Sequence, residues 1–126
     1  MSTNSFFDRI GGEAGVKKLV AAYLQVLQTY PEVQSLRNAY PMDLSCYEER
    51  MNLYLTMWLG GPALYQKTHG MPMLREAHRF MPITPALRDQ WMFCMRIALN
   101  QVVEDLVVRM ELERRFWRTA DSLTKK

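Results

Sequence analysis

His78 and Trp91 lie about three and a half helical turns apart within residues 58–95, WLGGPALYQKTHGMPMLREAHRFMPITPALRDQWMFCM. His78 is one of two histidines in the chain, His69 being the other. A neutral imidazole set among methionines, leucines and aromatics can serve as the single protein ligand of a haem iron. The same residue types also build ordinary cores, where a lone histidine is a satisfied structural group. Composition alone favours that second reading, because imidazole is only intermediate in its tendency to be buried. The surrounding residues have to decide between them.

The chain has 126 residues, 48% of them hydrophobic, which is enough for one core and a small-molecule cavity in a single domain, residues 1–126. A net charge of +3 is too diffuse for a nucleic-acid footprint. The densest basic cluster, residues 109–118, is interleaved with Glu111 and Glu113 and reads as a solvated helix face. No long uncharged apolar run is present to span a bilayer, and the start, MSTNSFFDRIGG, has no apolar signal core. The expected location is the cytoplasm. Cys46 and Cys94 form neither a CxxC nor a CxxCH pattern, which excludes covalent c-type haem and a thioredoxin-like motif. Each is expected to behave as a small buried hydrophobe. Ten methionines, several of them near His78, suit a cofactor pocket and an ordinary core equally.

Helix-period patterns separated by clear punctuation run along the chain, and none of it reads as strand. A brief helix over residues 5–10 stops at Gly11-Gly12. The next spans 13–28, with Val16, Leu19, Val20, Tyr23, Leu24 and Leu27 on one stripe, and Pro31 ends it. A short turn carries Leu36 to Tyr40. Ser45 and Glu48 form an S-x-x-E pattern that predicts a capping box, with Tyr47, Met51, Tyr54, Leu55 and Trp58 on the helix face that follows. Gly60-Gly61-Pro62 stops that helix. Residues 62–73 read as extended, followed by a short helix containing His78. Thr84 and Pro85 open a helix that turns Leu87, Trp91, Cys94, Met95, Ala98 and Val102 inward. A last helix covers 108–123, presenting Leu112, Phe116, Ala120 and Leu123. The class is all-α.

The two glycine pairs, WLGGPALY at 58–65, His69-Gly70, Pro72, Leu74, His78 and RDQWMFCM at 88–95 together resemble the truncated haemoglobins, specifically their group II. The resemblance covers nearly the whole chain, from Phe7 to Leu123. It implies a truncated globin-like two-over-two helical sandwich enclosing one haem, bound non-covalently as haem b. By the same resemblance His78 is the proximal iron ligand, its second ring nitrogen donating to a backbone carbonyl or similar acceptor. Trp91 matches the family's tryptophan, whose N–H faces the ligand pocket; without the resemblance it would read as a core aromatic.

The distal side departs from the family's pattern. Leu24 stands where most relatives carry a ligand-facing tyrosine, and Tyr23 where they have phenylalanine. One residue along a helix is a rotation of about 100°, so the phenol is not expected to reach the same ligand atom. Tyr40 matches a position of tyrosine, histidine or phenylalanine and is the expected remaining phenolic donor. Tyr47 and Met51 replace small residues and leucine; Tyr47 either enters the pocket as donor or gate, or faces solvent. Met51 is also a candidate sixth ligand. Arg75 precedes His78 by almost one turn and can pair a carboxylate bidentately; the resemblance adds Tyr65, Lys67 and His69 near the haem propionates, and Met73, Ile83 and Met95 are further expected cofactor contacts. Met71 and Met73 replace the polar residues common in that loop, and Arg79, Phe80 and Met81 the usual proline-phenylalanine pair.

The resemblance implies reversible binding of O2, and of CO or NO, opposite His78. A neutral hydrogen bond is worth ~1 kcal/mol and ~1.4 kcal/mol is a tenfold change in binding, so Leu24 predicts O2 retention weaker by about an order of magnitude unless Tyr47 compensates, with faster O2 release or easier oxidation of the iron. A catalytic alternative is peroxidase-like turnover of peroxide or oxidation of nitric oxide, with a separate reductase, since the chain has no flavin or nicotinamide motif. A degenerate haem-binding sensor module is the third reading. A monomer or homodimer is expected, with no nucleic-acid or membrane partner.

Overall fold

The computed structural model describes residues 5–70, 73, 78 and 83–124. Seven α-helices form among them: α1 (Phe6–Arg9), α2 (Gly12–Thr29), α3 (Gln34–Asn38), α4 (Ser45–Trp58), α5 (Leu64–His69), α6 (Pro85–Val102) and α7 (Leu106–Ser122). A 3-10 turn, Pro31–Val33, leads into α3. No strand occurs among the described residues; Ile83 and Thr124 make one isolated parallel bridge.

The expected stripe on α2 is the centre of the molecule. Val16, Leu19, Val20, Tyr23 and Leu27 are all buried to within 1% of complete. Burial on that scale stabilises the fold by roughly 1.5–3 kcal/mol per large side chain. This face packs on α6, where Met92, Cys94, Met95, Ala98 and Leu99 are fully buried, and also on α4. Helix α6 in turn packs on α7 through Val108, Leu112 and Phe116. The result is two helix pairs, α2 with α4 and α6 with α7, laid one over the other.

The glycine pairs join the ends of these helices. Gly11 and Gly12 adopt φ of 105° and 66°, conformations that a Cβ disfavours, so the chain turns sharply from α1 into α2. The Phe7 N–H then donates to the Leu59 carbonyl at 2.9 Å. At Gly61 a Cβ would stand 2.7 Å from the Phe7 ring. Helix α1 is therefore seated on the end of α4 because Gly61 has no side chain.

Several local expectations need correction. Ser45 does not form a capping box. It is the first residue of α4, and the Glu48 N–H donates to the Leu44 carbonyl at 2.8 Å. The Asp43 carboxylate accepts from both the Ser45 N–H (2.9 Å) and its hydroxyl (2.6 Å), which occupies the group a capping box needs. Residues 64–69, expected to be extended, are the helix α5; its one and a half turns bury no residue and so carry little periodic signal. Helix α7 begins two residues early because Asp105 accepts from the N–H groups of Val107 (2.9 Å) and Val108 (3.2 Å). Cys46 is exposed while Cys94 is buried; Cys46 precedes the inward-turned Tyr47 on α4 and faces the other way. His78 itself sits in a turn, and the short helix expected around it lies outside the described residues.

Candidate functional site

A cavity of about 390 Å³ opens between the helix pairs. Its walls are largely apolar: Leu36 from α3, Met51, Tyr54, Leu55 and Trp58 from α4, Leu87 and Trp91 from α6, and Phe116 and Ala120 from α7. Trp58 and Phe116 stack with centroids 4.6 Å apart and planes at 16°, and Trp91 meets Phe116 edge-on at 5.6 Å. His78 reaches this cavity, as do Ile83 and Tyr65.

Three phenols and one indole gather on the wall formed by α2, α4 and α6. The Tyr47 hydroxyl lies 2.9 Å from that of Tyr23. Tyr40 stacks on the Tyr47 ring at 4.2 Å and 15°. Tyr23 packs against Trp91 at 5.8 Å. Tyr40, Tyr47 and Trp91 line the cavity. Tyr23 is completely buried behind them. Tyr47 is thus turned inward rather than to solvent. Leu24 is buried in the core and takes no part in the wall.

Four hydrogen bonds hold this wall in place. The Arg37 guanidinium donates to the carbonyls of Tyr40 (3.4 Å), Pro41 (3.0 Å) and Met42 (3.0 Å), fixing the loop that carries Tyr40. The Leu36 N–H donates to the Gln90 side-chain carbonyl at 2.9 Å, tying α3 to α6 beside Trp91.

Burial raises the pKa of Tyr23 and Tyr40 well above the ordinary tyrosine value of 10.0. Tyr47 is also raised by burial, against the opposing effect of hydrogens from Tyr23, Tyr40 and Trp91 that stabilise charge on its oxygen. Burial likewise pushes the Cys94 thiol up to about 12. Raised values mean that the folded chain holds these protons more tightly than the unfolded chain. Their contribution to stability is complete below pH ~10 and is lost as pH climbs through the folded-state values. In an alkaline titration, phenolate absorbance from these three tyrosines is expected to appear only together with loss of helical circular dichroism. Their ionisation in a fully helical protein near pH 10 would contradict the burial of this cluster.

The other expected contacts divide. Met51 is buried and lines the cavity. Lys67 and His69 are exposed on α5 and Met73 is 66% exposed; none forms part of the wall. The His69 ring lies 5.2 Å from that of Tyr65, which does line it. Met95 is fully buried one turn beyond Trp91 on α6, in the core past the cavity floor. Arg75 lies outside the described residues.

Two arginines were not anticipated. Arg50, on α4, is exposed and borders the cavity. Arg88, also on the wall, bonds Asp121 and Asp89 at 3.0 Å each and lies 4.5 Å over the Trp117 ring. Spacing contained the signal: Arg88 precedes Trp91 by three residues, and so shares its helix face.

These residues suit a flat macrocycle bearing carboxylates. Aromatic and aliphatic walls fit its faces, one imidazole lines the cavity that would hold its metal, and Arg50 suits a carboxylate at the cavity edge. No Asp or Glu stands among the cavity-lining residues described.

Two helix pairs closing on such a cavity, with an imidazole on it and phenols converging on one wall, define a small globin. A model of the bacterial-like globin family matches residues 5–124. Group 2 truncated hemoglobin YjbI of Bacillus subtilis (strain 168) is 36% identical over 101 residues, covering 80% of this chain and 74% of that protein. A group II 2-on-2 hemoglobin from the plant pathogen Agrobacterium tumefaciens matches with a TM-score of 0.95 and 36% identity, over 99% of this chain and 97% of that one. A cold-adapted truncated hemoglobin from the Antarctic marine bacterium Pseudoalteromonas haloplanktis TAC125 matches with a TM-score of 0.95 and 31% identity, over 98% and 99%. The chain belongs to the bacterial-like globin family and, within it, to the group II truncated haemoglobins. Haem binding and the binding of small diatomic ligands are the general function of that family. No described helix is long and apolar enough to cross a membrane.

Proposed function

We propose that residues 1–126 act as one domain that carries haem b non-covalently through His78 and reversibly binds O2, CO or NO at the iron position across from that imidazole. The observation that carries the reading is the convergence of His78 and the Tyr40–Tyr47–Trp91 wall on one cavity. Haem, when bound, supplies the iron and the electron density on which a diatomic ligand draws. His78 holds the cofactor. Leu36, Met51 and Leu55 keep water from the ligand side. The hydroxyls and indole N–H on that wall favour a ligand whose outer atom gains negative charge. Arg50 and Tyr65 suit the propionates, with Arg75 as a further partner expected from its place in the sequence. The reading includes a separate reductase, a cytoplasmic location and a monomeric or homodimeric state.

Titrating the purified chain with hemin, and recording oxidised, reduced and CO-bound spectra, tests the proposal. One equivalent should bind, with a histidine-ligated spectrum and a CO adduct distinct from that of free haem. A chain that keeps its helices and takes up no hemin would end this reading.

A further inference from the structure

We propose that Tyr47 is the group that donates a hydrogen bond to the bound ligand, and that Tyr23 and Trp91 act through Tyr47 as positioning residues. This assignment rests on the haem-binding reading above and goes beyond it. By resemblance alone, the direct donors would be Trp91 and Tyr40.

Three phenols and one indole meet at this wall, and only the phenols can accept a hydrogen as well as donate one. A phenol offers one hydrogen and two lone pairs, whereas an indole N–H only donates. The Tyr23 hydroxyl is behind the wall, on a residue with 0% exposure, and lies 2.9 Å from the Tyr47 hydroxyl. It touches the cavity only through Tyr47. Trp91 packs its ring on that of Tyr23 at 5.8 Å and lines the cavity as Tyr47 does. Either hydroxyl of the Tyr23–Tyr47 pair can donate; when Tyr23 donates to the Tyr47 oxygen, the Tyr47 hydrogen is left for another acceptor. Tyr47 lines the cavity, so a ligand bound there can be that acceptor.

The ring of Tyr47 is held for this role. Tyr40 stacks on it at 4.2 Å and 15°, and Tyr23 meets it edge-on at 6.2 Å and 73°. A series of hydroxyls aligned in one direction polarises each member, so the terminal O–H is a stronger donor than a lone phenol. Tyr23 therefore recovers, through one intermediary, the phenol that Leu24 does not provide. The pocket favours ligands with a negatively charged outer atom, such as O2 or fluoride, over CO.

The test uses the hemin-loaded chain and its Tyr47→Phe, Tyr23→Phe and Trp91→Phe variants. Two readouts apply: the infrared C–O stretch of the reduced CO adduct, and fluoride affinity in the ferric state. Tyr47→Phe should raise the stretching frequency and weaken fluoride binding about tenfold. Tyr23→Phe and Trp91→Phe should move both in the same direction by less. Unmoved readouts in Tyr47→Phe, or a larger response in Trp91→Phe, would overturn the assignment. So would a phenolate-to-iron absorption band in the ferric wild type that Tyr47→Phe abolishes, since Tyr47 would then occupy the iron itself. Failure to bind hemin overturns the haem reading and this assignment together; uptake with an unmoved stretch in Tyr47→Phe overturns this assignment alone.

Discussion

Replacing His78 with alanine is expected to cost the chain more than about a hundredfold in haem affinity. Removing a group that merely orients a metal ligand typically costs 10–100-fold, so losing the ligand itself should exceed that range. The cavity offers few substitutes. His69 is exposed on α5 and outside the wall, and Met51 is a thioether without the basicity of imidazole. The hemin-loaded spectrum should collapse toward that of free haem in His78→Ala, and external imidazole should restore it in His78→Gly. His69→Ala should bind hemin like the parent chain. If His78→Ala retains the parent spectrum and affinity, the imidazole lining this cavity is not the iron ligand.

The Gly15→Ala variant is expected to lose about 3 kcal/mol of stability, at the upper end of overpacking costs. A Cβ at this position would stand 1.9 Å from the Ile10 carbonyl oxygen and 2.6 Å from its carbon. Both are backbone atoms, so no side-chain rotation relieves the clash. Either α1 leaves α2 or α2 shifts against α6, and the second displaces Tyr23 from its place behind Tyr47. Urea unfolding followed by circular dichroism measures the loss. A variant within ~0.5 kcal/mol of the parent, the ordinary range of a harmless surface change, would show that α1 is not seated as described.

The long helices were legible because their signals repeat. On α2 the apolar stripe recurs over about three turns, and on α6 Thr84 and Pro85 announce the start, with the Thr84 hydroxyl accepting from the Leu87 N–H at 3.1 Å. The short elements were not. Helix α5 buries nothing, and Asp43 displaced the apparent Ser45 cap by acting from two residues upstream. The site was legible to the extent that one helix face reports its own neighbours. Trp91, Tyr47 and Met51 line the cavity from their helix faces, and Tyr40 lines it from the bend after α3. The contact between Tyr23 and Tyr47 was not accessible to that reasoning. It joins residues 24 apart in sequence, and depends on how closely α2 approaches α4. Gly15 was missed for a similar reason, since its tight neighbour is the carbonyl of a preceding turn rather than a side chain.

Arg37 never reaches the cavity, yet its guanidinium gathers three successive carbonyls of the segment between α3 and α4. One side chain thereby bonds three consecutive residues of the segment that carries Tyr40. The ligand side of this globin thus draws part of its support from outside the pocket, from a cation whose loss would remove three bonds behind Tyr40 without altering a side chain that lines the cavity.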